Sequence, residues 1–179
     1  MIDKILDVLC WPARWASWLI LPLILSVLAA VTAAKLGQNT LLAWDGRVFL
    51  FGRAITVNTL IDFQWHVFAL LVLFGGVLAY RTDRHVAVET VAQSLPPRLR
   101  TALLAAGDLL FLVPFCAIIA YYGWSYTGVA WSTGEASAQG GMTDRWFIKG
   151  MLPLAFALLT LAGTLRGLAR LVVVIRARA

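Results

Sequence analysis

The 179 residues are 61% hydrophobic and 13% charged, with mean hydropathy +0.82. A soluble domain carries about a quarter charged residues, so an ordinary water-soluble fold is excluded and a membrane protein is indicated. The net charge of +6 does not read as a nucleic-acid footprint, because the basic residues sit mainly beside apolar segments.

The chain opens on Asp3 and Asp7 and shows no small-residue cleavage site after its first apolar run, so a retained helix is expected rather than a cleaved signal. That run, Trp15 to Ala34, is about 30 Å long as a helix, which matches the hydrocarbon core. Pro22 is a kink position that lipid-buried helices tolerate. The stretch from Gly37 to Asp62 mixes charges with aromatic pieces such as RVFLFG and is expected to lie in the interface as a short amphipathic segment.

The second span is expected over 63–80, with Gly75 and Gly76 permitting close approach of a neighbouring helix. Between it and the third span lies YRTDRHVAVETVAQSLPPRLR. Either an amphipathic helix on the inner membrane surface or a plain basic loop satisfies this pattern, and Pro96-Pro97 ends it. The third span, 101–131, is about 45 Å long, so it tilts, protrudes or kinks at Pro114. Ser132 to Asp144 is rich in Ser, Gly and Ala and reads as irregular. The fourth span is expected over 146–168.

Loop charge sets the orientation. Lys4, Arg14, Arg81, Arg84, Arg98, Arg100, Arg166, Arg170, Arg176 and Arg178 fall on one side; Lys35, Arg47, Arg53, Arg145 and Lys149 fall on the other. The richer side is cytoplasmic, which puts both termini inside. Trp15, Trp18, Trp65, Trp124, Trp131 and Trp146 lie near span ends, as in an aromatic belt. The fold class is therefore an all-α membrane protein. It is expected to be a single bundle over 1–179 with four transmembrane helices, a cytoplasmic segment between helices 2 and 3, and membrane lipid around it.

Catalytic signatures are missing: there is no Gly-x-Ser-x-Gly, HExxH or phosphate-binding glycine loop. Cys10 and Cys116 fall at different depths, which disfavours a disulfide. Two cysteines and two histidines make a poor zinc set, and no cofactor is expected. His66 reads as an interfacial histidine with an ordinary hydrogen bond. Asp108, inside the third span, either meets a partner or a polar pathway, or pairs with a neighbouring helix. No internal repeat of the kind that builds a self-sufficient transporter is evident.

Three stretches in order, AYRTDRHVAVETVAQSLPPRLR, GDLLFLVPF and WSTGEASAQGGMTDRWFIKGMLP, resemble the DctQ-like small membrane subunits of tripartite ATP-independent periplasmic (TRAP) transporters. The resemblance runs from about Trp15 to Leu171. QWHVF resembles a branch labelled for mannitol or chloroaromatic transport, a label that guides substrate poorly. Ala87 stands where the family often has Arg, Glu89 where Asp is frequent, and Ala155 where Gly is common. The resemblance implies a bacterial inner-membrane protein that is not an enzyme. It implies two partners, a large multi-span TRAP membrane subunit and a periplasmic substrate-binding protein, with solute uptake, organic acids foremost, driven by an ion gradient. Candidate inner-side contacts are His85, Glu89 and Asp108. Candidate outer docking residues are Glu135, Asp144, Arg145 and Lys149. The rival readings are a homo-oligomeric transporter or channel acting alone, and a subunit of a membrane redox complex.

Overall fold

The computed structural model describes residues 2–82 and 95–176, with side chains from residue 4. It is mostly helical, and four stretches are long and apolar enough to cross a membrane: Lys4–Lys35, Val57–Arg81, Pro97–Ser132 and Trp146–Arg176.

The first span is assembled from α1 (Ile2–Leu9), α2 (Trp11–Ala16), a 3-10 turn (Ser17–Leu19) and α3 (Ile20–Lys35). It begins well before Trp15. Pro12 and Pro22 each fall in the first turn of a segment, where a helix has no use for the missing N–H. Pro22 therefore marks a junction rather than a mid-helix kink.

Where an interfacial amphipathic segment was expected, the chain forms a hairpin. Strands β1 (Thr40–Val48) and β2 (Gly52–Thr56) are antiparallel, pairing Thr40 with Thr56, Leu42 with Ile55, Ala43 with Ala54 and Val48 with Gly52. The register shifts along the ladder hide the simple alternation by which a strand is recognised. The Trp44 indole donates to the Gly52 carbonyl at 3.1 Å across the pair.

Span 2 is α4 (Val57–Arg81) and starts six residues before the expected Phe63. Thr56 and Thr59 explain this. The Thr59 amide donates to the Thr56 hydroxyl at 3.1 Å, and the Thr56 amide donates to the Thr59 hydroxyl at 3.2 Å. This reciprocal box satisfies two N–H groups that the helix cannot.

Span 3 comprises α5 (Pro97–Ala106), a π-helical stretch (Gly107–Leu112) and α6 (Val113–Ser132). The irregularity expected at Pro114 takes the form of wider turns just ahead of it. Pro114 cannot donate to the preceding turn, and its ring crowds the carbonyl there. Span 4 is α7 (Trp146–Arg176) with Pro153 inside it. The residues between spans 3 and 4 are turns and irregular chain, as their composition suggests.

Spans 2 and 4 form the centre. Span 1 packs on span 2, with its N-terminal part reaching span 4, while among the described residues span 3 packs substantially on span 4 alone. One apolar cluster joins Ala13, Ala16, Phe74 and Ala155; a second joins Leu6, Tyr80 and Ala162. Close packing depends on Gly163 and Gly167, where an added Cβ would sit 3.1 Å from Leu112 and 2.8 Å from Leu109. By contrast, among the described residues nothing beyond the helix's own backbone lies within 4 Å of a Cβ placed at Gly75 or Gly76. The arrangement is open rather than a closed bundle. Only 17–22% of the most apolar part of each span is buried within the chain.

Candidate functional site

Polar residues gather at the two ends of the helices. The first end holds the N-terminal helix, the end of span 2, the start of span 3 and the end of span 4. Asp7 lies 3.7 Å from Arg14 and 3.6 Å from Arg81. Arg166 donates to the Tyr80 carbonyl and stands over the Tyr80 ring, 5.2 Å from its centroid. Asp108, buried at 7% exposure on the π-helical stretch, accepts from Arg170 at 2.5 Å. Asp108 is thus engaged by a neighbouring helix of its own chain. A carboxylate in hydrocarbon needs such a partner, and Arg170, in the sequence only one of the topology-setting charges, supplies it. His85 and Glu89, with the whole expected surface segment, lie outside the described residues.

The opposite end is built by the hairpin, the start of span 2 and residues 133–145. Asp62, one turn into α4, accepts the Met142 amide at 3.0 Å, and Asn58 donates to the Gln139 carbonyl at 2.7 Å. Gly141 passes so close that a Cβ there would collide with the Asp62 carboxylate. The Thr143 amide donates to the Leu50 carbonyl at 2.9 Å. The Asp144 carboxylate receives Arg47 at 2.8 Å, the Thr143 hydroxyl at 2.9 Å and the Leu50 amide at 3.4 Å. Burial opposes ionisation of Asp144, but these donors outweigh it and hold its carboxyl below the usual carboxylate range.

Glu135 turns inward. It accepts from Lys149 at 2.5 Å, and the Lys149 ammonium lies 4.0 Å from the Tyr126 ring centroid. The Arg145 amide donates to the Glu135 carbonyl at 3.0 Å. Among the described residues the Arg145 guanidinium has no ion pair. Phe49 lies 6.0 Å from both Trp146 and Phe147, and Trp131 meets Trp146 at 4.5 Å, so the hairpin tip is tied to the aromatic belt.

All four outer candidates therefore come together, and three of them are engaged with other parts of this chain. Asp62, Arg47 and Leu50 are not singled out by the sequence. Asp62 reads as the end of a loop unless the capping box ahead of it is recognised. Nothing local pairs Arg47 with a residue 97 positions away. His66 bonds from Nδ1 to the Asp62 carbonyl at 2.6 Å, as expected, but its Nε2 is buried without a partner among the described residues. Cys10 and Cys116 are buried free thiols.

This is an assembly of ion pairs, caps and ring contacts that fixes loop geometry. Among the described residues no cluster of three or more His, Cys, Asp or Glu could hold a metal ion. No curated protein matches the chain. The family model described as "Tripartite ATP-independent periplasmic transporters, DctQ component" matches residues 46–174, from the end of β1 through β2, spans 2 and 3 and nearly all of span 4. This is a family of transporter components rather than of enzymes, working in complex with a large membrane subunit and a substrate-binding protein. Four apolar helices and this match make the protein a multi-pass protein of the inner membrane. The chain belongs to the DctQ family, the small membrane subunits of TRAP transporters.

Proposed function

We propose that this chain is the static frame of its transporter: it braces the large subunit and presents its hairpin and 133–145 surface to the periplasmic binding protein. Uptake in this reading is driven by an ion gradient and serves organic acids or related solutes. The observation that carries it is the clamping of the charged candidates within the chain. Asp108 is held by Arg170, Glu135 by Lys149 and Asp144 by Arg47. Charges so engaged lock helices and loops, whereas a mobile gate or an ion relay needs groups that exchange partners.

Orientation follows from the loop charges: both termini are cytoplasmic, and the hairpin end faces the periplasm. Of the four outer candidates, Arg145 is assigned the direct contact with the binding protein, because its charge is not spent on another described residue. Glu135, Asp144 and Lys149 shape the surface around it. His85 and Glu89 remain proposed inner-side contacts.

The test is uptake by the three components reconstituted in liposomes. Omitting this chain should abolish uptake, and Arg145→Glu should raise the binding-protein concentration needed for half-maximal rate. Transport by this chain alone would replace the frame with the homo-oligomeric reading. An optical haem or flavin signal in the purified chain would favour the redox one.

A further inference from the structure

Span 3 carries a face that lipid does not satisfy. Tyr121 and Tyr122 are 71% and 66% exposed, with ring centroids 5.3 Å apart. Among the described residues neither phenol hydroxyl has a hydrogen-bond partner. The contacting pair Trp131–Trp146 marks the outer aromatic belt. Tyr121 lies roughly 15 Å below Trp131 along the helix, and the Asp108–Arg170 pair lies about 20 Å further down. Both phenols therefore sit inside the hydrocarbon layer, a turn or more below Tyr126, whose ring meets the Lys149 ammonium.

A hydroxyl at that depth has no water or headgroup to bond, and a phenol is too short to snorkel so far. Thr127 solves the problem locally by donating to the Gly123 carbonyl at 2.8 Å. The rigid tyrosine ring carries its hydroxyl away from its own backbone and has no such recourse. Beside Tyr122 runs an apolar groove of about 320 Å³ lined by Ile118, Ile119, Tyr122, Gly123, Tyr126 and Leu152. Span 3 stands at the edge of the helix arrangement, with span 4 as its one substantial neighbour. Unbonded hydroxyls and a side-chain-sized groove thus lie side by side on span 3.

We propose that this flank is the seam where a helix of the large membrane subunit seats, placing a side chain in the groove and hydrogen-bond acceptors on Tyr121 and Tyr122. The inference rests on the DctQ reading, which supplies that partner. Acyl chains could fill the groove but offer no acceptor.

The experiment uses the complete transporter in native membranes, with the photo-crosslinker p-benzoylphenylalanine at position 122. The expected result is an adduct of this chain with the large subunit. Lipid adducts or self-dimers alone, while the large subunit still co-purifies, would overturn the seam and leave the family reading standing. Failure of the large subunit to co-purify with the unaltered chain would instead sink the family reading and the seam with it. The double variant Y121F/Y122F keeps both rings, and so the fold, while removing the hydroxyls. It should lower the ratio of large to small subunit after detergent extraction about three- to tenfold. An unchanged ratio would refute the hydrogen-bonding role.

Discussion

Leu50 and Asp144 hold each other in the left-handed region of backbone space. Their φ angles are 68° and 56°, and they are the two non-glycine residues of positive φ among the described residues. The Leu50 amide donates to the Asp144 carboxylate, and the Leu50 carbonyl accepts the neighbouring Thr143 amide. A β-branched residue fits this conformation worse than Leu, and glycine fits it freely. Leu50→Val should therefore destabilise the cap formed by the hairpin and residues 133–145 by about 1–2 kcal/mol, with Leu50→Gly the milder change. Protease cleavage within 133–145 and thermal unfolding in detergent would check the order.

Asp144 also gives the cap a pH dependence. Its folded pKa is depressed, so its stabilising contribution is complete above the ordinary carboxylate value of about 4 and is lost as pH falls through the lower folded value. Asp144→Asn keeps a side chain that tolerates positive φ but removes the charge. The variant should melt below the wild type at pH 7, and the gap should close in strong acid. Melting curves between about pH 2 and 7 would show this, and a gap that widens in acid would contradict it.

At the other end, Arg170→Leu deprives the buried Asp108 of its ion partner. Removing one member of a buried pair costs about 3–5 kcal/mol, so this variant should lose more thermal stability than either Leu50→Val or Asp144→Asn. Adding Asp108→Leu should recover part of the loss, since the double variant no longer buries a stripped charge. Tryptophan-fluorescence melting of the single and double variants tests the coupling.

The glycines divide into two kinds. Gly167→Ala would press its methyl into Leu109, and Gly123→Ala into Pro153 at 3.0 Å. Each should cost about 1–3 kcal/mol, as overpacking does. Gly75→Ala and Gly76→Ala meet nothing and should leave the isolated chain's melting temperature unchanged. Size-exclusion profiles and melts of the four variants separate the groups.

Four spans and their order are readable from hydropathy, because that signal is summed over some twenty residues. The start of span 2 and the whole hairpin turn on finer chemistry. The Thr56–Thr59 box moves the start of span 2 outward, and the shifted register of β1 against β2 breaks the alternation that betrays a strand. The outer candidates can be named from sequence as a group of charges, but not as partners. Glu135 and Lys149 lie 14 positions apart across an irregular loop, and Asp108 and Arg170 lie 62 positions apart on different spans. Such pairings arise only once the helices are packed.

The edge position of span 3 has a bearing on how the chain is made. A ribosome releases span 3 before span 4, the one helix on which span 3 substantially leans. During that interval Asp108 enters the membrane ahead of Arg170, its ion partner 62 positions on. Biogenesis thus passes through a three-helix stage carrying an acid without its base.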